Sequence, residues 1–266
     1  MSAGIARWET NEMDEWLKVL LGALVVLTTH LLEGITGFGS TVLALPFLSL
    51  LTGLKNSIPM LCAVGWVMSL YLVIRSWRAF QWKEFRFILL WVGLGLAPGM
   101  LLYEYLPANH LCVILGCAMI VIGLDGCRKC YRRNEEIKPV RRNWLMRSLL
   151  FCGGIIQGAF GSGGPFVIIY AARAIPEKSL FRVTLSLLWF IMNSIRLCVW
   201  TIQGTVWNRE LGLLILAALP FMVAGVLIGD YLHRKVNQFY FRVCVYMVLW
   251  VAGAFMLVRN LRLSLH

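Results

Sequence analysis

The sequence predicts an all-α, polytopic transmembrane helical bundle of two homologous, inverted repeats, each opening with a glycine-broken helical hairpin. Three observations carry that reading. Hydrophobic residues make up 59% of the 266-residue chain and charged residues only 14%, with a mean hydropathy of +0.75, far from soluble composition. Two glycine-rich breaks interrupt apolar sequence, GITGFGST at Gly34–Thr41 and QGAFGSGGP at Gln157–Pro165. GFGS (Gly37–Ser40) aligns with AFGS (Ala159–Ser162), and a second match falls later in each half, GMLLYEYL at Gly99–Leu106 and GVLIGDYL at Gly225–Leu232, with the glycine, the acid and the Tyr-Leu pair in step. Duplicated hydrophobic units with broken segments at matching points are the pattern by which membrane carriers place a site at the bilayer midplane.

Taken in order, the chain divides into a tail (1–15), a first repeat (16–126), a basic cytoplasmic loop (127–146), a second repeat (147–258) and a short tail (259–266). The tail carries Glu9, Glu12, Asp14 and Glu15 and lacks the basic start of a cleavable signal, so the first apolar segment is expected to be retained. That segment, Trp16–Thr52, would be roughly 55 Å long as one helix, nearly twice the ~30 Å hydrocarbon core. It must fold back or break, and Gly34, Gly37 and Gly39 mark where two short helices would meet at depth. Unbroken spans follow at Ser57–Ile74, Phe87–Tyr103 and Leu106–Leu124. In the second repeat Arg147–Ala172 is the broken segment, readable as a re-entrant hairpin or as one broken crossing. Spans at Leu180–Thr201, Leu211–Gly229 and Gln238–Val258 complete it. All are rich in Leu and Ala without the period-two alternation of a membrane β-barrel.

Charge orients the chain. Of 25 basic residues, 8 lie between Arg128 and Arg147, which reads as a cytoplasmic loop and not as a nucleic-acid surface, since no recognition module accompanies them. Arg173, Lys178 and Arg182 mark a further cytoplasmic loop if the halves are inverted; a parallel arrangement changes the cytoplasmic count by a single residue, so segment length and the acidic N-terminus favour inversion. Cysteines such as Cys62 and Cys198 sit in apolar sequence as small hydrophobes, and Cys127 and Cys130 of the CRKC stretch are expected to be free thiols without a second ligand pair for a metal.

The breaks are where chemistry concentrates. Irregular backbone at membrane depth leaves N–H and C=O groups unpaired, at several kcal/mol each unless protein or a water-filled site satisfies them. Successive free N–H groups at the start of the following helix form a concavity suited to an anion. The expected substrate-binding residues are Thr36, Gly37, Phe38, Gly39, Ser40 and Thr41 at the first break and Gln157, Gly158, Gly161, Ser162, Gly163 and Gly164 at the second. Close helix crossing is the alternative use of such glycines. The duplication weighs against it, because packing alone does not require similar breaks in both halves. Neither break carries the Gly-Lys-Ser/Thr ending of a nucleotide-binding loop.

GITGFGSTVLALPFL and GGIIQGAFGSGGPFVIIY resemble the two signature breaks of the TauE/SafE family of sulfite and organosulfonate exporters, and FRVTLSLLWFIMNSIRLCVWTIQGTV (Phe181–Val206) resembles the helix after the second. The first break departs from the family's run of glycines at Ser40 and Thr41. The resemblance covers about 16–258 and implies a multi-pass transporter of the bacterial inner membrane for small, often sulfur-containing anions, without an organic cofactor. Asn193 matches a polar position of that pattern.

Intramembrane polar residues complete the candidates. Asn193 and Arg196 share a helix face, with Arg196 expected either to bind the anion or to snorkel to the interface. Glu33 and His30, one turn apart before the first break, are expected to carry a coupling proton, or in Glu33's case to cap loose backbone N–H groups. They are not a metal site. Glu104 and Asp230, equivalent acids beside tyrosines, read as interface residues at opposite helix ends. The expected partners are a small anionic substrate and the lipid bilayer, and the chain admits a homodimer. A membrane-embedded enzyme on a lipid or sulfur compound, or an anion channel, are the rival readings; few acids and histidines are available for acid–base chemistry.

Overall fold

The computed structural model describes residues 15–258 apart from 78–79, 106–107, 132–141, 162–163, 205, 238, 241–242, 245, 248–249, 252 and 256. The two tails apart from Glu15, half of the basic loop (132–141), Ser162 and Gly163 thus lie outside the described residues, as do the side chains of Glu104 and Cys130. The bounded helices are α1 (Glu15–Thr36), α2 (Ser40–Arg75), α3 (Trp82–Tyr105), α4 (Ala108–Tyr131), α5 (Trp144–Phe160), α6 (Gly164–Ala174), α7 (Lys178–Gln203) and α8 (Arg209–Lys235). Further helical residues fall within 239–258, and no strand occurs among the described residues.

Among the described residues, five stretches are long and apolar enough to cross a membrane: Val19–Thr36, Lys55–Arg75, Trp82–Leu102, Lys178–Gln203 and Arg209–Lys235. Leu20, Leu24, Leu90, Leu94, Leu101, Leu213 and Leu216 stand exposed on their outer faces. Such apolar outer surfaces are stable against lipid tails, which is why these helices can be hydrophobic all round.

Both broken segments double back. After the first break α2 returns along α1, with Gly22 of α1 facing Leu48 and Leu51. Where two short helices were expected, α2 instead continues to Arg75, bent at Gly53 (φ 75, ψ 157). At the bend Ser57 Oγ donates to Gly53 O at 2.7 Å and itself lies 2.8 Å from Thr52 Oγ1. Counted from the aligned breaks, Gly53 stands where Ile175 stands in the second half, between α6 and α7. One half bends where the other has a loop. The second broken segment is likewise a hairpin: Gly95 and Gly99 of α3 lie against Phe151 and Ile155 of α5, whereas Tyr170 of α6 stacks near Phe87, more than two turns back along α3, at 5.2 Å between rings.

Helices pair across the halves. The opening helix α1 packs on α8, α5 packs on α3, and α2 packs on α7. The residues in contact rise together along both partners, Gly225 on Leu27 then Gly229 on Gly34, and Gly95 on Phe151 then Gly99 on Ile155, so each pair is parallel. Helix α4 meets the residues of 239–258 in the opposite sense, Gly116 on Leu257 and Gly126 on Tyr246. Gly99 and Gly225, equivalent in the two halves, thus each seat the opening helix of the other half. At one end of the bundle gather the end of α2, the starts of α3, α5 and α7 and the end of α8. Arg75 and Arg182 reach Asp230 there, Arg142 reaches Glu84, and Lys178 Nζ donates to His233 O and Val236 O.

Candidate functional site

The first break is closed by accounting for the last carbonyls of α1, which have no helical donor. Thr36 Oγ1 lies 2.8 Å from Leu32 O and 2.7 Å from Phe38 O, Gly37 N–H donates to Glu33 O at 2.6 Å, Arg182 Nη1 donates to Gly34 O at 2.7 Å, and His233 Nδ1 sits 2.7 Å from Ile35 O. Gly37 makes this geometry with φ 81, and a Cβ there would strike Arg182 itself. The Gly34 and Ile35 carbonyls therefore go to side chains from other helices, which fixes α1 against α7 and α8.

The second break repeats the device. Gly161 ends α5 in the left-handed region (φ 70), its N–H bonding Gln157 O at 2.8 Å. The same carbonyl receives Arg196 Nη1 at 2.9 Å, and a Cβ at Gly161 would fall on that nitrogen. Arg196 is 0% exposed and stacks over Trp200, its guanidinium carbon 4.6 Å from the ring centre. It does not snorkel. One helix, α7, thus carries two buried arginines fourteen residues apart, about 21 Å along its axis, each spent on the C-terminal end of a helix that precedes a break.

This arrangement sets the field between the breaks. A helix carries roughly half a negative charge at its C-terminus and half a positive charge at its N-terminus. The two C-termini, of α1 and α5, are neutralised by guanidinium groups. The two N-termini, of α2 and α6, open on a cleft of about 340 Å³ lined by Glu33, Phe38, Gly39, Thr41, Val42, Gly65, Gln157, Gly161, Gly164, Trp189 and Asn193. The breaks meet across it: Gly164 faces the Phe38 ring and Gly161 faces the Thr41 methyl. Gln157 Nε2 donates to Asn193 Oδ1 at 3.2 Å, which leaves the Asn193 N–H₂ group beside Gly65.

Of the residues expected from sequence, Phe38, Gly39, Thr41, Gln157, Gly161, Gly164, Asn193 and Glu33 line the cleft. Thr36, Gly37 and Arg196 build its walls from behind, and Ser40 reaches Glu33 with both its hydroxyl and its backbone N–H. Gly158 belongs to the α5–α3 crossing, where a Cβ would collide with Leu96 O. His30 is buried with Nδ1 2.8 Å from Val26 O of its own helix, away from the cleft lining. Ser162 and Gly163 lie outside the described residues.

Sequence reading missed three features. Trp189, Val42 and Gly65 line the cleft, hidden among the many apolar residues of their spans. Arg182, read as a loop residue, is 5% exposed inside α7. Asp230, read as an interface acid, is 4% exposed and meets Arg182 at 2.8 Å, Arg234 at 3.1 Å and Arg75 at 3.3 Å. The correction has a physical reason: an acid near a helix end is at the surface only if no cation from a neighbouring helix covers it. A buried Arg one turn into α7 does so here. A second cluster at the same end joins Glu84, Arg142 and Tyr170, whose hydroxyl donates to Glu84.

The family model described as Sulfite exporter TauE/SafE matches residues 21–256. No curated protein and no solved structure matches the chain.

Proposed function

The chain belongs to the TauE/SafE family of sulfite exporters, a multi-pass membrane transporter and not an enzyme, and from that premise we propose that a small sulfur oxyanion, sulfite or an organosulfonate, binds between the two breaks on its way out of the cell. One observation carries the placement: both negative helix ends at the breaks are covered by buried guanidiniums, while both positive ends open on the cleft. An anion there gains from the two N-termini and from the hydroxyl and amide donors of Thr41 and Asn193, without the repulsion of uncovered carbonyls. Glu33 also lines the cleft, and an anion beside it favours the protonated carboxyl, which gives export a proton to couple to.

The halves 16–126 and 147–258 are read as inverted repeats. Supporting this, α3 starts at the end of the bundle where α8 finishes, so the parallel pairs α1·α8 and α3·α5 run in opposite senses. In a bacterial plasma membrane the gathered basic end then faces the cytoplasm. A homodimer fits the same reading and is tested by mass measurement of the purified protein in detergent.

The deciding experiment is flux into proteoliposomes of sulfite, sulfate, thiosulfate, sulfoacetate and a carboxylate control. Saturable flux of a sulfur oxyanion is expected. Current without saturation would make the protein a channel, and no flux of any anion would end the reading.

A further inference from the structure

Among the described residues, two that line the cleft, Trp189 and Glu33, each carry a buried polar atom without a partner. Trp189 is 6% exposed, and its indole Nε1 is buried without a hydrogen-bond partner among the described residues. An indole N–H can only donate, and leaving it unmade inside a protein is costly. Two other tryptophans show the usual outcome: Trp66 Nε1 reaches Ser194 Oγ at 2.8 Å and Trp207 Nε1 reaches Thr201 Oγ1 at 2.9 Å. The Trp189 ring lies against the start of α6, where a Cβ on Gly164 would stand 3.9 Å from Cζ2, the ring carbon next to the N–H edge. The second unmet atom is Oε2 of Glu33, also buried without a partner among the described residues, while Ser40 engages the same carboxyl group.

Resting on the oxyanion reading of the cleft, we propose that Trp189 is a specificity-determining donor to one oxygen of the bound anion, and that a second oxygen shares a single proton with Glu33. A bare carboxylate and a bare oxyanion cannot lie within hydrogen-bond distance in a desolvated site without a proton between them. That proton arrives either on the anion, as a hydrogen oxyanion, or on Glu33 beside a fully ionised one; the complex is the same. The ligand class is therefore a sulfur oxyanion with at least two free oxygens. A halide, having one centre, satisfies only one of the two groups.

The charged and titratable groups on the elements around Glu33 have other commitments. His30 on α1 faces Val26 O, Arg182 on α7 holds Gly34 O and Asp230, and His233 on α8 faces Ile35 O. Arg196 on α7 holds Gln157 O, and Cys62 on α2 lies near Arg196.

Methanesulfonate is the probe, because it keeps one negative charge from acidic to alkaline pH and any pH dependence of its binding belongs to the protein. Its affinity for purified protein in detergent is measured by titration calorimetry across that range. Affinity of the unmodified protein is expected to fall about tenfold per pH unit where Glu33 takes up its proton on binding, and Glu33→Gln is expected to bind with a flat profile. Trp189→Phe keeps the ring and loses the donor, so binding should weaken roughly 10- to 100-fold at every pH with the slope unchanged. A flat profile in the unmodified protein, or a slope that survives in Glu33→Gln, overturns the shared proton. Unchanged affinity in Trp189→Phe overturns the donor role, and if that variant fails to fold, the pH series on the unmodified protein and Glu33→Gln still decides. Failure of both methanesulfonate and sulfite to bind would instead overturn the oxyanion reading of the cleft.

Discussion

Replacing Asp230 by Asn tests whether the buried ion cluster holds the first break in place. The carboxylate meets three guanidiniums, but they differ in what they lose. Arg75 and Arg234 have side chains 42% and 60% exposed and can return to water, so their share is at most about 1 kcal/mol each. Arg182 is 6% exposed and cannot, and leaving one partner of a buried pair uncompensated costs about 3–5 kcal/mol. Its retained bond to Gly34 O places the expected loss toward the lower end, about 3 kcal/mol. At about 2–4 °C per kcal/mol, that corresponds to a midpoint lower by roughly 6–12 °C. Thermal unfolding in detergent, followed by size-exclusion of a fluorescent fusion, reads the shift. Arg234→Gln should stay within about 2 °C of the unmodified protein, and Arg182→Gln combined with Asp230→Asn should cost less than the two singly, because the stranded charge is gone. The reasoning fails if Asp230→Asn melts like the unmodified protein, or if Arg234→Gln is as damaging.

Four further outcomes follow from the same geometry. Gly161→Leu forces a side chain into a left-handed position against Arg196 Nη1, and flux at matched membrane abundance should fall at least tenfold; unaltered flux would reduce that glycine to a packing residue. Arg196→Gln uncovers the C-terminal end of α5, worth about 0.5–2 kcal/mol, so the apparent KM for the anion should rise roughly 2- to 30-fold, and an unchanged KM refutes the electrostatic account. Glu33→Gln should keep anion exchange but lose uphill transport driven by a pH gradient; accumulation against the gradient removes Glu33 from coupling. In a cysteine-free background, single cysteines at Glu177 and Arg209 should label from opposite faces of intact cells, with Glu177 protected, and external labelling of Glu177 would support parallel halves.

The five membrane-crossing stretches among the described residues and both breaks were legible because they are written in local sequence: runs of apolar residues, and glycines that interrupt them. The match of Gly99 with Gly225 likewise announced an equivalence that the structure expresses as two reciprocal helix seatings. What stayed hidden depends on partners distant in sequence. Arg182 and Asp230 are 48 positions apart, and each alone resembles a charge at a helix end. Gly158 could not be told from its neighbours Gly161 and Gly164, since a glycine serving a helix crossing and one serving a cleft look alike until the opposing helix is known. Trp189 lay in an aromatic-rich span whose burial gave no hint that its N–H would lack a partner.

Helix α7 behaves as a ruler. Its two guanidiniums grip Gly34 O and Gln157 O from fixed stations on one rigid rod, so the spacing of the two breaks is set by the length of helix between Arg182 and Arg196 rather than by the loops themselves. A slide of α7 by a single residue, about 1.5 Å with a turn of about 100°, would swing both grips away at once. The breaks are therefore mechanically yoked: any motion that opens the cleft to one side must carry α7 with it, bend it between the grips, or let go of one carbonyl while the other holds.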